Sequence, residues 1–346
     1  MKIGNKIIDK EHPVFIIAEA GVNHNGKIGI AKKLIEKAAE SGADAVKFQT
    51  FKAEKLVSIK AKMCGYQKEN TKEEIPQFNL LKKLELKLED YKVLLNYANE
   101  KKIIFLSTPF DDESVDFLDE LNIEAFKIAS TDTNNIPFLN KIAKKNKPVI
   151  LSTGMSDIAE IKEAVNQIKK YNDQIVVLHC TTDYPAKLDE VNLNAMKTIE
   201  KECNVIVGYS DHTEGTEISV AAVALGAKVI EKHFTLDRKM KGPDHKASIE
   251  PFELKNMISS IRNVEKSLGF FEKKVTISSK KYIDEIKKSI HAAKNIKKGE
   301  EVSQEMLIIK RPSYGIAPKF FNEIIGLKVK RDINKEDYIR WEDLVK

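Results

Sequence analysis

Cysteine, long apolar runs and charge of one sign are all scarce in this sequence, and each shortage removes a class of protein. The three cysteines, Cys64, Cys180 and Cys203, stand at scattered spacings with no CxxC pair. A disulfide framework is therefore not expected, and a reducing, cytoplasmic setting is. No run of about 18 apolar residues occurs, and Met1–Lys10 lacks the apolar stretch of a secretory leader, so no membrane association is expected. Lys and Arg number 58 against 52 Asp and Glu, a formal charge of only +6. The two signs are interleaved, as in Lys32-Lys33-Leu34-Ile35-Glu36-Lys37, which reads as solvated helical surface. Such a balance leaves no stripe for nucleic acid and suits small anionic molecules.

What is present is a core. Hydrophobic residues make up 42% of 346, beside only 15 Gly and 10 Pro, a composition that folds. The length predicts one large domain and one small one. Eight short apolar, β-branched runs recur in the first part of the chain: Val14–Ala18, Ala45–Phe48, Ile103–Leu106, Ala125–Ile128, Val149–Leu151, Ile175–Leu178, Val205–Val207 and Lys228–Ile230. Apolar residues at helical spacing lie between them, as in Ala31, Leu34, Ile35 and Ala38, or Ile158, Ile161, Ala164 and Ile168. Near-continuous apolar strands alternating with helices predict a parallel sheet covered on both faces. Eight such units predict a (β/α)8 barrel over residues 1–275, with a doubly wound sheet as the alternative if one strand is misplaced. Residues 276–288 read as a charged linker, and 289–346 as a small β-rich domain with frequent turn signals.

Each apolar run ends in chemistry-bearing residues: Glu19; Lys47 and Gln49; Ser107 and Thr108; Lys127 and Ser130; Ser152 and Thr153; His179; Ser210 and His212; Glu231 and His233. A barrel gathers all those ends at one mouth, where active sites are built. Two imidazoles there, His212 and His233, suit a divalent cation whose shell carboxylates or water complete, or else are hydrogen-bonded rim residues. A lysine directly after an apolar strand is costly unless it meets an anion. Lys47 and Lys127, with Ser130, Ser152 and Ser210, therefore suggest a cradle for phosphate and carboxylate. Structural ion pairing and Schiff-base chemistry stay open for both lysines.

Taken together, the strings Ile17-Ala18-Glu19-Ala20-Gly21-Val22-Asn23-His24-Asn25-Gly26, Val46-Lys47-Phe48-Gln49-Thr50, Leu106-Ser107-Thr108-Pro109-Phe110 and Leu151-Ser152-Thr153-Gly154-Met155 resemble the sialic-acid synthase family. So do His179-Cys180-Thr181-Thr182 with Tyr184-Pro185, Gly208-Tyr209-Ser210-Asp211-His212-Thr213, and Glu231-Lys232-His233-Phe234-Thr235 with Gly242-Pro243-Asp244-His245. The tail, with Lys297-Lys298-Gly299-Glu300 and Lys310-Arg311-Pro312, resembles the antifreeze-like (SAF) domain of those enzymes. The resemblance covers nearly the whole chain. It implies condensation of phosphoenolpyruvate (PEP) with an N-acylated mannosamine-type aldehyde, releasing phosphate and giving a nine-carbon 2-keto acid. N-acetylmannosamine is the first expected acceptor, and 2,4-diacetamido-2,4,6-trideoxymannose the alternative.

By the same resemblance, Glu19 handles charge or a proton at PEP C2, and His212 and His233 hold Mn2+ or Mg2+. Lys47, Thr108, Lys127, Ser130, Ser152, Thr182 and Ser210 match positions that hold PEP. Gln49, Tyr184 and Asp244 match positions near the sugar, and Asp132 stands where many members carry a glutamate. Arg311 matches an arginine that the SAF domain inserts into the neighbouring barrel, implying a domain-swapped homodimer. A Schiff-base aldolase and a non-catalytic carbohydrate- or ice-binding protein are the competing classes. The charged Lys297–Glu301 and Lys310–Arg311 tracts weigh against ice binding.

Overall fold

The structure is a computed structural model that describes residues 1–345. The chain forms two compact units, one spanning Met1–Gly269 and the other beginning at Phe270. The first is a closed barrel of eight parallel strands, β1 Phe15–Gly21, β2 Ala45–Thr50, β3 Ile104–Pro109, β4 Phe126–Ile128, β5 Val149–Ser152, β6 Ile175–Cys180, β7 Ile206–Asp211 and β8 Val229–His233, with β8 returning to pair with β1.

Most of these strands run two or three residues past the apolar stretches that announced them. The ladder continues because backbone pairing does not require apolar side chains. Glu19 is the register partner of Lys47 and of His233, and Gln49 that of Thr108. Residues expected just beyond the strands are therefore part of the barrel wall.

The helices form for ordinary reasons. Helix Ile28–Ser41 buries Ala31, Leu34, Ile35 and Ala38 as expected and ends at Gly42 in the left-handed region, φ 87°. Helix Ile158–Lys169 is opened by Asp157, whose carboxylate accepts from Ala159 N at 2.8 Å and Glu160 N at 2.9 Å. Between β2 and β3 the chain makes an excursion that the sequence did not announce, with short helices Ala53–Leu56, Gly65–Thr71 and Gln77–Leu84.

The barrel has two apolar regions. The larger lies between strands and helices. The smaller fills the barrel floor with Phe15, Ile17, Ala45, Leu106, Ala125, Ile150, Val176, Leu178 and Val229, joined by Ile3 and Ile8 next to the N-terminal hairpin. Gly208 belongs to this floor: a Cβ there would lie 2.4 Å from Val229 O and 2.6 Å from Leu178 Cδ2, so only glycine fits.

The second unit has its own core of Ile290, Ala292, Ile296, Val302, Leu307, Ile316, Ile324, Val329, Ile333, Ile339 and Leu344. Strands β9 Ser289–Ala292 and β10 Leu307–Lys310 pair antiparallel, as do β11 Lys328–Val329 and β12 Leu344–Val345. The segment read as a linker holds two single-turn helices, Ile277–Lys280 and Ile283–Ile286. Among the described residues, no helix is long and apolar enough to cross a membrane.

Candidate active site

Side chains on a strand alternate, so every second residue of each barrel strand points inward. Following the floor residues up by two gives Ile17 to Glu19, Ala45 to Lys47, Leu106 to Thr108, Ala125 to Lys127, Ile150 to Ser152, Leu178 to Cys180, Gly208 to Ser210 and Val229 to Glu231. At one level all eight strands switch from apolar to polar or thiol. Above that level opens a cavity of about 480 Å³.

Four charged groups make its base. Lys47 Nζ lies 2.6 Å from Glu19 and 3.7 Å from Glu231, and donates to Thr108 Oγ1 at 2.9 Å. Lys127 Nζ lies 3.2 Å from Glu231, which also accepts from Ser210 Oγ at 3.0 Å. None of the four is more than 4% exposed. Burial pushes the Glu19 carboxyl up to about 7, with Lys47 only partly opposing it. Burial also works against Glu231, but Lys127 and Lys47 outweigh it and bring that carboxyl down to about 2. Lys47 is raised because Glu19 and Glu231 overcome its desolvation, whereas burial wins at Lys127 and lowers it. The base thus holds two ammonium groups, of which Lys127 meets a single carboxylate. The Ser152 hydroxyl, buried beside them, has no hydrogen-bond partner among the described residues.

The imidazoles of His212 and His233 stand with ring centroids 5.3 Å apart. His212 Nδ1 lies 2.8 Å from Thr181 O. A carbonyl only accepts, so Nδ1 carries a proton and Nε2 is the nitrogen left for a ligand. Burial opposes a charge on this ring, but Cys180 and the Thr181 carbonyl outweigh it and raise His212 above the usual imidazole value. Tyr184 stacks on His212 at 4.1 Å and meets His233 edge-on at 5.5 Å. Burial, reinforced by His212, holds His233 well below the usual imidazole range, hence neutral. Its Nδ1 is buried with no partner among the described residues. His233, neutral and with a free buried nitrogen, and the Nε2 face of His212, which gives up any proton on that nitrogen when a metal binds, fit a divalent cation. Among the described residues no group of three His, Cys, Asp or Glu converges as a metal cluster. Water and substrate would supply the remaining ligands, as in an open catalytic site.

The outer wall is different in kind. Leu56, Val57, Leu80, Leu81 and Leu84 of the excursion line it, together with Val22 and Phe110. Tyr66 packs against Tyr184 at 5.0 Å, and Asn70 Nδ2 donates to Pro243 O at 2.6 Å, tying the excursion to the loop that carries Asp244. Burial raises the Asp244 carboxyl to about 6.

Of the residues singled out from sequence, the cavity brings together Glu19, Lys47, Gln49, Thr108, Lys127, Ser130, Ser152, Thr182, Tyr184, Ser210, His212, His233 and Asp244. Asp132 does not line it. Its carboxylate accepts from Asn135 at 2.9 Å, and Thr131 lines the wall instead. Arg311 lies exposed in the second unit, directly after β10. His179 is not a lining residue: its Nε2 bonds Val191 O at 2.7 Å. Tyr66 was not expected, and Glu231, expected at the mouth, was given no role there. The signal for Glu231 was available, since it stands two residues before His233 on one strand and so shares its face.

Comparison with known proteins decides the lineage. The NeuB family model matches residues 34–273, and the SAF domain model matches residues 287–345. The chain belongs to the NeuB family. A NeuB relative from Campylobacter jejuni, N,N'-diacetyllegionaminic acid synthase, is 52% identical over 94% of this chain and 98% of its own. The synthase of the same name from Legionella pneumophila is 45% identical over 95% of this chain and 94% of its own. Among solved structures, the N-acetylneuraminic acid synthetase of Leptospira borgpetersenii, in complex with citrate, superposes with a TM-score of 0.73 at 36% identity. It covers 82% of this chain and 94% of that one. The NeuB chain described here is accordingly an enzyme of the sialic-acid synthase type.

Proposed function

We propose that this enzyme condenses PEP with the open-chain aldehyde of 2,4-diacetamido-2,4,6-trideoxymannose, forming N,N'-diacetyllegionaminate and phosphate. The observation that carries the PEP half is the buried base of Lys47 and Lys127 beside the paired imidazoles of His212 and His233. The acceptor reverses the order drawn from sequence, where N-acetylmannosamine came first. Two relatives named for the diacetyl product support the change, as does the apolar wall of Leu56, Val57, Leu80 and Leu81. That wall suits a C6 methyl and a second acetamido methyl better than a hydroxymethyl and a hydroxyl.

In the reaction, PEP C3 bonds to the aldehyde carbon, whose oxygen takes a proton. Water adds to C2, and loss of phosphate from the resulting tetrahedral centre leaves the 2-keto acid. Lys47 and Lys127 would hold the anionic groups of PEP, with Thr108, Ser130, Ser152, Thr182 and Ser210 as donors. Glu19 would accept the proton of the incoming water. His212 and His233 would hold Mn2+ or Mg2+, which supplies Lewis acidity to an aldehyde oxygen. Gln49, Tyr184 and Asp244 would contact the sugar. Arg311 of the partner subunit would complete its binding in a domain-swapped homodimer. A Schiff-base role suits Lys47 poorly, since its carboxylate partners hold it protonated.

The test is phosphate release from PEP with Mn2+, comparing the two sugars in wild type and His233→Ala. The expected result is kcat/KM favouring the diacetamido sugar by roughly 10- to 200-fold, the range one or two small apolar groups give. Release should disappear in His233→Ala. Equal or reversed preference would remove the acceptor assignment and leave the condensation standing. No release with either sugar, by folded and metal-loaded wild type, would remove both.

A further inference from the structure

Behind the two histidines, on the outer side of the barrel wall, lies an ion pair that the proposed chemistry does not use. Asp211 precedes His212 and Lys232 precedes His233, and the two are register partners on β7 and β8. Lys232 is 0% and Asp211 1% exposed, and neither lines the cavity. Lys232 Nζ lies 3.0 Å from Asp211 Oδ2.

Three of the four remaining side-chain bonds of this pair converge on the residue after His212. Asp211 Oδ1 accepts from Thr213 N at 2.9 Å and from Thr213 Oγ1 at 2.7 Å. Lys232 Nζ donates to Thr213 O at 2.6 Å. Both backbone groups of Thr213 are thus fixed by side chains on the two strands that carry the histidines. Ser219 Oγ donates to Asp211 Oδ2 at 2.6 Å and anchors the assembly to helix Glu217–Ala224.

Burying a lysine and an aspartate costs several kcal/mol per ion, and an apolar pair of similar volume commonly serves stability as well or better. What the ionic pair adds is direction: its bonds specify where the turn after His212 lies relative to β8. We propose that Asp211 and Lys232 are positioning residues of the reaction, setting the separation of the His212 and His233 imidazoles for a divalent cation. This rests on reading those histidines as cation ligands. Partners that orient metal ligands from behind typically change metal affinity roughly 10- to 100-fold when removed.

The experiment is a Mn2+ titration followed by electron paramagnetic resonance on the full chain without substrates. Wild type, His233→Ala, Lys232→Met and the double variant Asp211→Leu with Lys232→Met are compared. The double variant leaves no unpaired buried charge, so it decides the matter if the single one does not fold. The expected result is a loss of Mn2+ affinity of roughly 10- to 100-fold in folded Lys232→Met and in the double variant. PEP binding, followed by tyrosine fluorescence, should be unchanged, and steady-state assays should show lower kcat at unchanged KM for PEP. Folded variants that bind Mn2+ as wild type does would overturn the positioning role and spare the metal reading. A wild-type chain that binds no Mn2+, or a His233→Ala chain that binds it equally well, would overturn both.

Discussion

Lys127→Met should lower kcat/KM for PEP by about two to three orders of magnitude, with most of the loss in KM. Lys127 is one of two ammonium groups at the base of the cavity, and its partner is Glu231 at 3.2 Å. Removing it takes away an attraction and also leaves Glu231, now facing only Lys47 at 3.7 Å, as a poorly compensated negative charge. A substrate with a phosphate and a carboxylate then meets repulsion where it met a cation. Truncating one partner of a buried, hydrogen-bonded charge contact with a ligand costs about 2–5 kcal/mol of binding, which at about 1.4 kcal/mol per decade brackets the stated range. Glu231→Gln should act in the opposite sense on binding: KM for PEP falls, because two cations face the ligand without a competing carboxylate. The barrel should melt lower, because those cations repel each other in the empty site. Initial rates of phosphate release across a PEP series, with melting curves for both variants, check this. A folded Lys127→Met chain with KM within about threefold of wild type would mean that the anion binds elsewhere.

The same cluster shows how far the sequence could be read. The barrel was legible because its floor is apolar, so eight strands announced themselves as eight apolar runs. Their upper ends were not, because Thr108, Ser210 and Glu231 look like the termination of a strand when they continue it. Glu231 was placed at the mouth but given no role, although the two-residue period that places His233 inward places it inward too. The excursion from Ala53 to Leu84 stayed hidden for another cause. Helices of four, seven and eight residues are too short to show a period, and their apolar residues face the cavity as well as the core. Asp211 and Lys232 were read only as part of a string, since a charge beside a histidine gives no sign of being buried behind the barrel wall. Asp132 shows the reverse failure: a carboxylate at the right place in the string is held by Asn135, three residues on in a local turn.

Glu19 gives the second large effect, and its sign can be worked out. Burial raises its carboxyl to about 7, so at pH 6 most of the enzyme carries it protonated, and above pH 8 nearly all of it is carboxylate. The carboxylate is the form that can take a proton from water adding at PEP C2. The profile of log kcat/KM should therefore rise with a slope near one below about pH 7 and level off above it. Glu19→Gln should lose that acid limb and about 10²- to 10⁴-fold of the rate, the usual contribution of a positioned general base. Stability supplies an independent readout. The folded state binds this proton more tightly than the unfolded chain, whose carboxyl titrates near 4.5. The stability Glu19 contributes is therefore fully present below about pH 4.5 and is lost as the pH rises through 7, on the order of 3 kcal/mol in all. Between pH 5 and 8 the wild-type melting temperature should fall relative to that of Glu19→Gln, whatever the offset between the two. An acid limb that survives in Glu19→Gln at full rate would assign the titration to another group and take the base role from Glu19.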